Sequence, residues 1–229
     1  MICNPFIRTR PVFNRLYVFG AGGHGREVAW LAEQAWGDEV KVVFLVDNVA
    51  YLSEPLNGVS VGLVQDVIAS DRDAYVAAVG DAKLRRRAAA ACAAVGLHPA
   101  SLVHPRVEAS RFVSLGAGCV VCAGSILTAN IRLGDHVHVN VDCTISHDVD
   151  IGDYSTLSPG VHVAGHVQIG KDVFIGTGAN IINGSAGAPL VIGDGAVIAA
   201  GACVTKSVES GALMAGVPAV NKRLRGASQ

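Results

Sequence analysis

The sequence predicts a small α/β unit with a parallel sheet, followed by a parallel β-helix. Three observations carry this prediction. Strand and helix patterns alternate up to about Leu97, and from Leu115 an aliphatic residue returns at every sixth position. The 229-residue chain also combines 27 glycines with only 16% charged residues and a mean hydropathy of +0.42, the texture of tightly turned, well-packed β structure.

The first unit reads in order. After an N-terminal extension (1–15), "RLYVFGAGG" ends a strand and "GREVAWLAEQAW" has helical periodicity. "VKVVFLVDN" is a second strand, "AYVAAVGD" a third, and "AKLRRRAAAACAAVG" a helix that stops at Gly96. Strands alternating with helices imply a parallel sheet over residues 16–100.

From about Val103 the period becomes six. Leu115, Val121, Leu127, Leu133, Val139, Ile145, Ile151, Leu157, Val163, Ile169, Ile175 and Ile181 lie in one phase. Twelve such hits have a chance probability on the order of one in ten million. Four residues after each lies a second, small or β-branched set that runs from Cys119 to Ala179. In Val149-Asp150-Ile151 the outer residues point inward and the middle one outward, as in a strand. "GD" or "GK" (Gly134-Asp135, Gly152-Asp153, Gly170-Lys171) is read as the turn. Three six-residue units close one triangular coil, and stacked coils bury a continuous aliphatic core over residues 101–229. The register breaks once: "INGSAGAPLV" gives a step of eleven to Ile192 where twelve is due, with a loop bulging between Ile182 and Leu190. From Met214 the tail is expected to leave the prism.

Composition excludes several function classes. A net charge of −1 offers no basic face for nucleic acid. No apolar run reaches 18 residues, so no membrane span is expected. The N-terminus lacks the apolar core of a signal peptide, and six cysteines without framework spacing suit a reduced, cytoplasmic protein.

"GAGGHG" (Gly20–Gly25) follows a strand and opens a helix, and Asp47 ends the next strand. That is the dinucleotide fingerprint: glycines admit a pyrophosphate to the helix N-terminus, and the acid takes a ribose hydroxyl. Only about eighty residues precede the repeats, room for three strands and not six, so this half-Rossmann unit holds a single nucleotide. Asn48 and Asp81, at strand ends, are secondary candidates.

The repeat, "VFGAGGHGREVA" and the closing "AGVPA", in this order, resemble the bacterial nucleotide-sugar N-acetyltransferases and the related sialic acid O-acetyltransferases. The resemblance runs from Leu16 to about Leu224 and implies a left-handed prism, a homotrimer, and acetyl-CoA bound between adjacent prisms as co-substrate, without a metal. It implies a His147–Asp148 catalytic dyad at "ISHD", with Asn140 positioning the acceptor. It puts Gly165, whose amide faces the thioester, with Thr156 and Thr177 on the cofactor. Gly22, Gly23, His24, Asp47 and Asn48 then hold the nucleotide sugar. The "NGSAGAPL" stretch departs from the family in being longer. The reading is acetyl transfer to the amine of a nucleotide-linked amino sugar, with O-acetylation of a sialic acid or another sugar hydroxyl as the alternative.

Two rivals are weaker. Zinc-dependent carbonic anhydrases share such prisms, but His136/His138 and His162/His166 are spaced two and four apart, not the five that resemblance would require. "CVVC" lacks a second pair, and Cys119 falls in the inward small-residue set. A non-catalytic nucleotide sensor would leave the His-Asp pair without a task.

Overall fold

The computed structural model describes residues 11–222; residues 1–10 of the expected extension and 223–229 of the tail lie outside the described residues. The first unit contains β1 (Arg15–Phe19), α1 (Gly23–Trp36), β2 (Lys41–Val46), β3 (Val61–Leu63), β4 (Asp73–Ala77), α2 (Ala82–Ala94) and β5 (His98–Pro99). These strands form one sheet in the order β3-β2-β1-β4-β5, and each neighbouring pair is parallel. The sheet therefore has five strands where three were expected. The two extra ones are short edge strands of three and two residues, too brief to show a period. β1 reads as a continuous apolar run because it is central and covered on both faces. Its Leu16 and Val18 pack with Val28 and Leu31 of α1, while Tyr17 and Phe19 pack with Ala88, Ala89 and Cys92 of α2.

The second unit is a left-handed β-helix with three parallel sheets as its faces. The first face begins at Leu102–Val103, the second at Glu108–Ala109 and the third at Val113–Leu115. Paired residues are eighteen apart, as in Ile145↔Val163, Ile151↔Ile169 and Leu157↔Ile175, so one coil is three sides of six. Eleven of the twelve aliphatic positions are buried and Leu115 packs against the same core. Each such side chain contributes about 1.5–3 kcal/mol of burial.

The corners differ from the expected turn chemistry. The left-handed residue lies three positions after eleven of the twelve aliphatic ones, at Asn130, His136, Asp142, Asp148, Tyr154, His166 and Asp172, or at a glycine such as Gly160 or Gly178. Gly134, Gly152 and Gly170 are needed for close approach instead. A Cβ on Gly152 would lie 2.6 Å from the Gly170 carbonyl carbon, and one on Gly134 2.8 Å from the Asp153 nitrogen.

The register break is an insertion. β-Strand partners shift from eighteen to twenty-three apart at Val167↔Leu190, so the step of eleven is one side of six plus five extra residues. The extra residues turn back through a Ser185–Ala188 bridge. The tail also departs from expectation: Leu213–Ala215 still pairs in parallel on the first face, and only Val220–Asn221 folds back antiparallel.

The first face carries the α/β unit. Leu102, Val120, His138 and Thr156 point outward from successive coils of that face, yet all four are buried. Arg85 of α2 is also fully buried and donates to the carbonyls of His136, Val79, Gly80, Tyr154 and Ser155. All five acceptors are neutral, and burial lowers its pKa to about 10, which leaves it charged at neutral pH.

Candidate active site

The period of eighteen builds the site at the corner between the second and third faces. Asn130, Asp148 and His166 occupy the same left-handed position on three successive coils, with φ of 54°, 57° and 56°. His147 and Gly165 form the adjacent column. Stacking therefore brings Asn130 Nδ2 to 3.0 Å from Asp148 Oδ1, to which it donates, while Asp148 Oδ2 accepts from His147 Nδ1 at 2.8 Å. The hydrogen bonds from His147 and Asn130 hold the Asp148 carboxyl below the usual carboxylate range. With Nδ1 donating, the lone pair of His147 is on Nε2, and its side chain is 56% exposed.

Gly165 is the floor beneath that imidazole. A Cβ there would lie 2.5 Å from His147 Cε1 and 2.6 Å from Nε2, so only glycine admits the ring. Its carbonyl accepts from Gly184 N–H at 3.0 Å, and the His166 carbonyl accepts from Leu190 N–H at 3.0 Å. The five-residue insertion thus springs from the corner that carries His147. A shallow groove of about 400 Å³, lined by Thr144, Ser146, His162, Ala164, Asn180 and Asn183, runs along the second face to the same corner.

The other residues singled out by sequence lie elsewhere on the chain. Asn140 and Thr177 sit at the opposite edge of the second face, on the corner with the first. The Asn140 carboxamide donates to Leu157 O at 2.8 Å, and Thr177 is exposed. Thr156 is buried and donates to the Gly80 carbonyl at 3.1 Å, a bond that joins the prism to the α/β unit. Cys119 belongs to the prism core and Cys122 to the cluster under α1, which separates the two thiols of "CVVC".

The glycine loop stands at the carboxyl ends of the parallel strands. Gly20 has φ of +111°, and a Cβ on Gly25 would collide with the Gly20 carbonyl oxygen at 1.8 Å, so the fold requires both. Around Gly22 and Gly23 a Cβ would meet nothing within 4 Å. The protein itself does not need glycine at those two positions, whereas a phosphate lying against the backbone would. No side chain caps α1 at Gly22, while Asp81 closes α2 by accepting from Leu84 N–H at 2.8 Å. Asp47 is exposed at the end of β2, and Asn48 accepts from Ala50 N–H at 2.9 Å. His24 Nδ1 lies 3.1 Å from Glu27 Oε2, and its Nε2 is 3.2 Å from Nδ1 of buried His138. Burial holds His138 well below the usual histidine range.

Sequence reading had not placed Asn130, His166, Arg85 or His138 at this site, though it had weighed His138 and His166 as zinc ligands in a rejected rival. The first two were within reach, since stepping eighteen either way from Asp148 finds them. No local signal marks Arg85 or His138, whose surroundings are made by two distant segments meeting.

A three-faced prism with a histidine–carboxylate pair at an exposed corner, joined to a nucleotide-type glycine loop, defines a class: the left-handed β-helix acyltransferases. Comparison with known proteins agrees. The PglD N-terminal domain family matches residues 15–91, and the hexapeptide repeat of succinyl-transferase matches 113–129 and 166–206. The GDP-perosamine N-acetyltransferase of Escherichia coli O157:H7 is 32% identical over 208 residues, covering 88% of this chain and 93% of that protein. Among solved structures, WeeI from Acinetobacter baumannii AYE superposes with a TM-score of 0.85 at 33% identity, covering 90% of this chain and 98% of that one. A histidine-to-asparagine variant of perosamine N-acetyltransferase from Caulobacter crescentus, in complex with CoA and GDP-perosamine, gives 0.83 at 26% identity, covering 91% and 97%. The chain belongs to the family of bacterial nucleotide-sugar N-acetyltransferases.

Proposed function

We infer that this protein transfers the acetyl group of acetyl-CoA to the amine of a nucleotide-linked amino sugar, with GDP-perosamine the acceptor its relatives favour. Residues 16–100 hold the nucleotide through Gly22, Gly23, His24, Asp47 and Asn48, and residues 101–229 carry the chemistry. The observation that carries the mechanism is the His147–Asp148 hydrogen bond at the corner, which engages Nδ1 and so puts the lone pair of the neutral ring on Nε2, in a side chain that is largely exposed. The amine nitrogen attacks the thioester carbonyl carbon while His147 Nε2 takes its proton. Asp148, held by Asn130, orients the ring and stabilises the imidazolium that forms. In this reading the developing oxyanion takes the Gly165 N–H, which none of the hydrogen bonds among the described residues uses. As the tetrahedral intermediate collapses, the C–S bond breaks and the His147 proton passes to the departing CoA thiolate.

The groove on the second face is the path by which the acyl donor's arm reaches the corner. Asn140 and Thr177 belong to this account as residues that an adjacent protomer of a cytoplasmic homotrimer supplies, since they lie on the far edge of that face. The test is acetyl transfer to GDP-perosamine by wild type, with His147→Ala silent yet still binding the nucleotide sugar.

A further inference from the structure

The corner has an unused feature: Asp148 lies between two histidines. Its Oδ2 is 2.8 Å from His147 Nδ1 and 3.8 Å from His166 Nδ1, and the three ligand atoms lie within 4.8 Å of one another. The two imidazoles stand edge to face with centroids 5.0 Å apart. The mechanism above gives His166 no task.

We propose that His147, Asp148 and His166 form a site for a borderline divalent cation, zinc foremost, and that its occupation switches the enzyme off; the second half rests on the function proposed above. A tetrahedral zinc with bonds of about 2.0–2.1 Å holds its ligand atoms about 3.3 Å apart. The 2.8 Å separation must open, and the 3.8 Å separation must close, by about half an ångström each. Two imidazoles and one carboxylate are the donor set zinc prefers over magnesium or calcium, and solvent completes the fourth position. Asn130, already on the other Asp148 oxygen at 3.0 Å, orients the carboxylate as an outer partner does in metal centres. Zinc on His147 Nδ1 takes the lone pair of the other tautomer, so the proton that ring now donates to Asp148 moves to Nε2. The hydrogen bond that positions the base is then gone, and Nε2 has no lone pair with which to take the amine proton.

The experiment is equilibrium dialysis of the EDTA-treated full chain against zinc, run beside acetyl-transfer assays. His166→Asn is the decisive variant, because asparagine tolerates the left-handed backbone at 166. Wild type is expected to bind one zinc per chain, and His166→Asn to bind it at least tenfold more weakly. Zinc should silence wild-type turnover reversibly, with EDTA restoring it, while His166→Asn stays active at the same zinc concentration. Equal zinc affinity in wild type and His166→Asn would overturn the proposal and place any bound ion elsewhere, Cys203 included. If zinc binds as expected but neither protein acetylates an amino sugar, the metal site stands and the proposed function falls.

Discussion

At the scale of single residues, the proposed chemistry depends on a ring, a carboxylate and a missing side chain. His147 and Asp148 are adjacent in sequence, and "ISHD" exposed them through family resemblance before any geometry was known. The reason Gly165 is glycine was hidden, because the clash that forbids a side chain comes from a ring eighteen residues earlier. Gly165→Ala is therefore expected to lower kcat by about 10²-fold, the scale of a one-ångström misplacement of a catalytic group. The backbone at 165 accommodates alanine, so thermal unfolding should move little; a large fall in Tm with unchanged turnover per folded molecule would contradict the reading. Asn130 and His166 were legible in principle, since the period that predicted the core also stacks the corners.

At the scale of elements, aliphatic periodicity made the prism plain, whereas its attachment to the α/β unit left almost no trace. A row of outward residues that should meet water (Leu102, Val120, His138, Thr156) is instead buried, and Arg85 binds five carbonyls across the junction. Such contacts arise when two distant segments meet, and periodicity reports only on neighbours along the chain. Arg85→Ala should cost at least about 3 kcal/mol, because it strips charge-assisted partners from several buried acceptors at once; urea unfolding measures it directly. His104, His136 and His138 are all held below 6.5 by burial. Below that pH the unfolded chain takes up protons that the folded chain refuses, so stability falls as pH falls from 6.5 and is unaffected above it. Melting curves from pH 8 to 5 should show that one-sided loss, and His138→Gln should soften it. The edge strands β3 and β5 were missed for a simpler reason, their brevity.

For the whole molecule, the proposed function divides the work between the two units, one for nucleotide and one for acyl transfer, and the two share a hydrophobic wall. A chain beginning at residue 101 would uncover the first face, and size-exclusion chromatography should find it aggregated where the full chain runs as a defined species. Sequence reading could assign the class because the glycine loop and the corner follow from backbone and stacking; no pattern in the sequence distinguishes one sugar from another. The central claim is that His147 is the base in acetyl transfer to a nucleotide-linked amine. The most direct measurement is thiol release from acetyl-CoA with GDP-perosamine, comparing wild type with His147→Ala in proteins shown to bind the nucleotide sugar. The account predicts turnover in wild type and a loss of about 10²–10⁴-fold in kcat for the variant, with KM changed only a few-fold. Retained turnover in His147→Ala would contradict it.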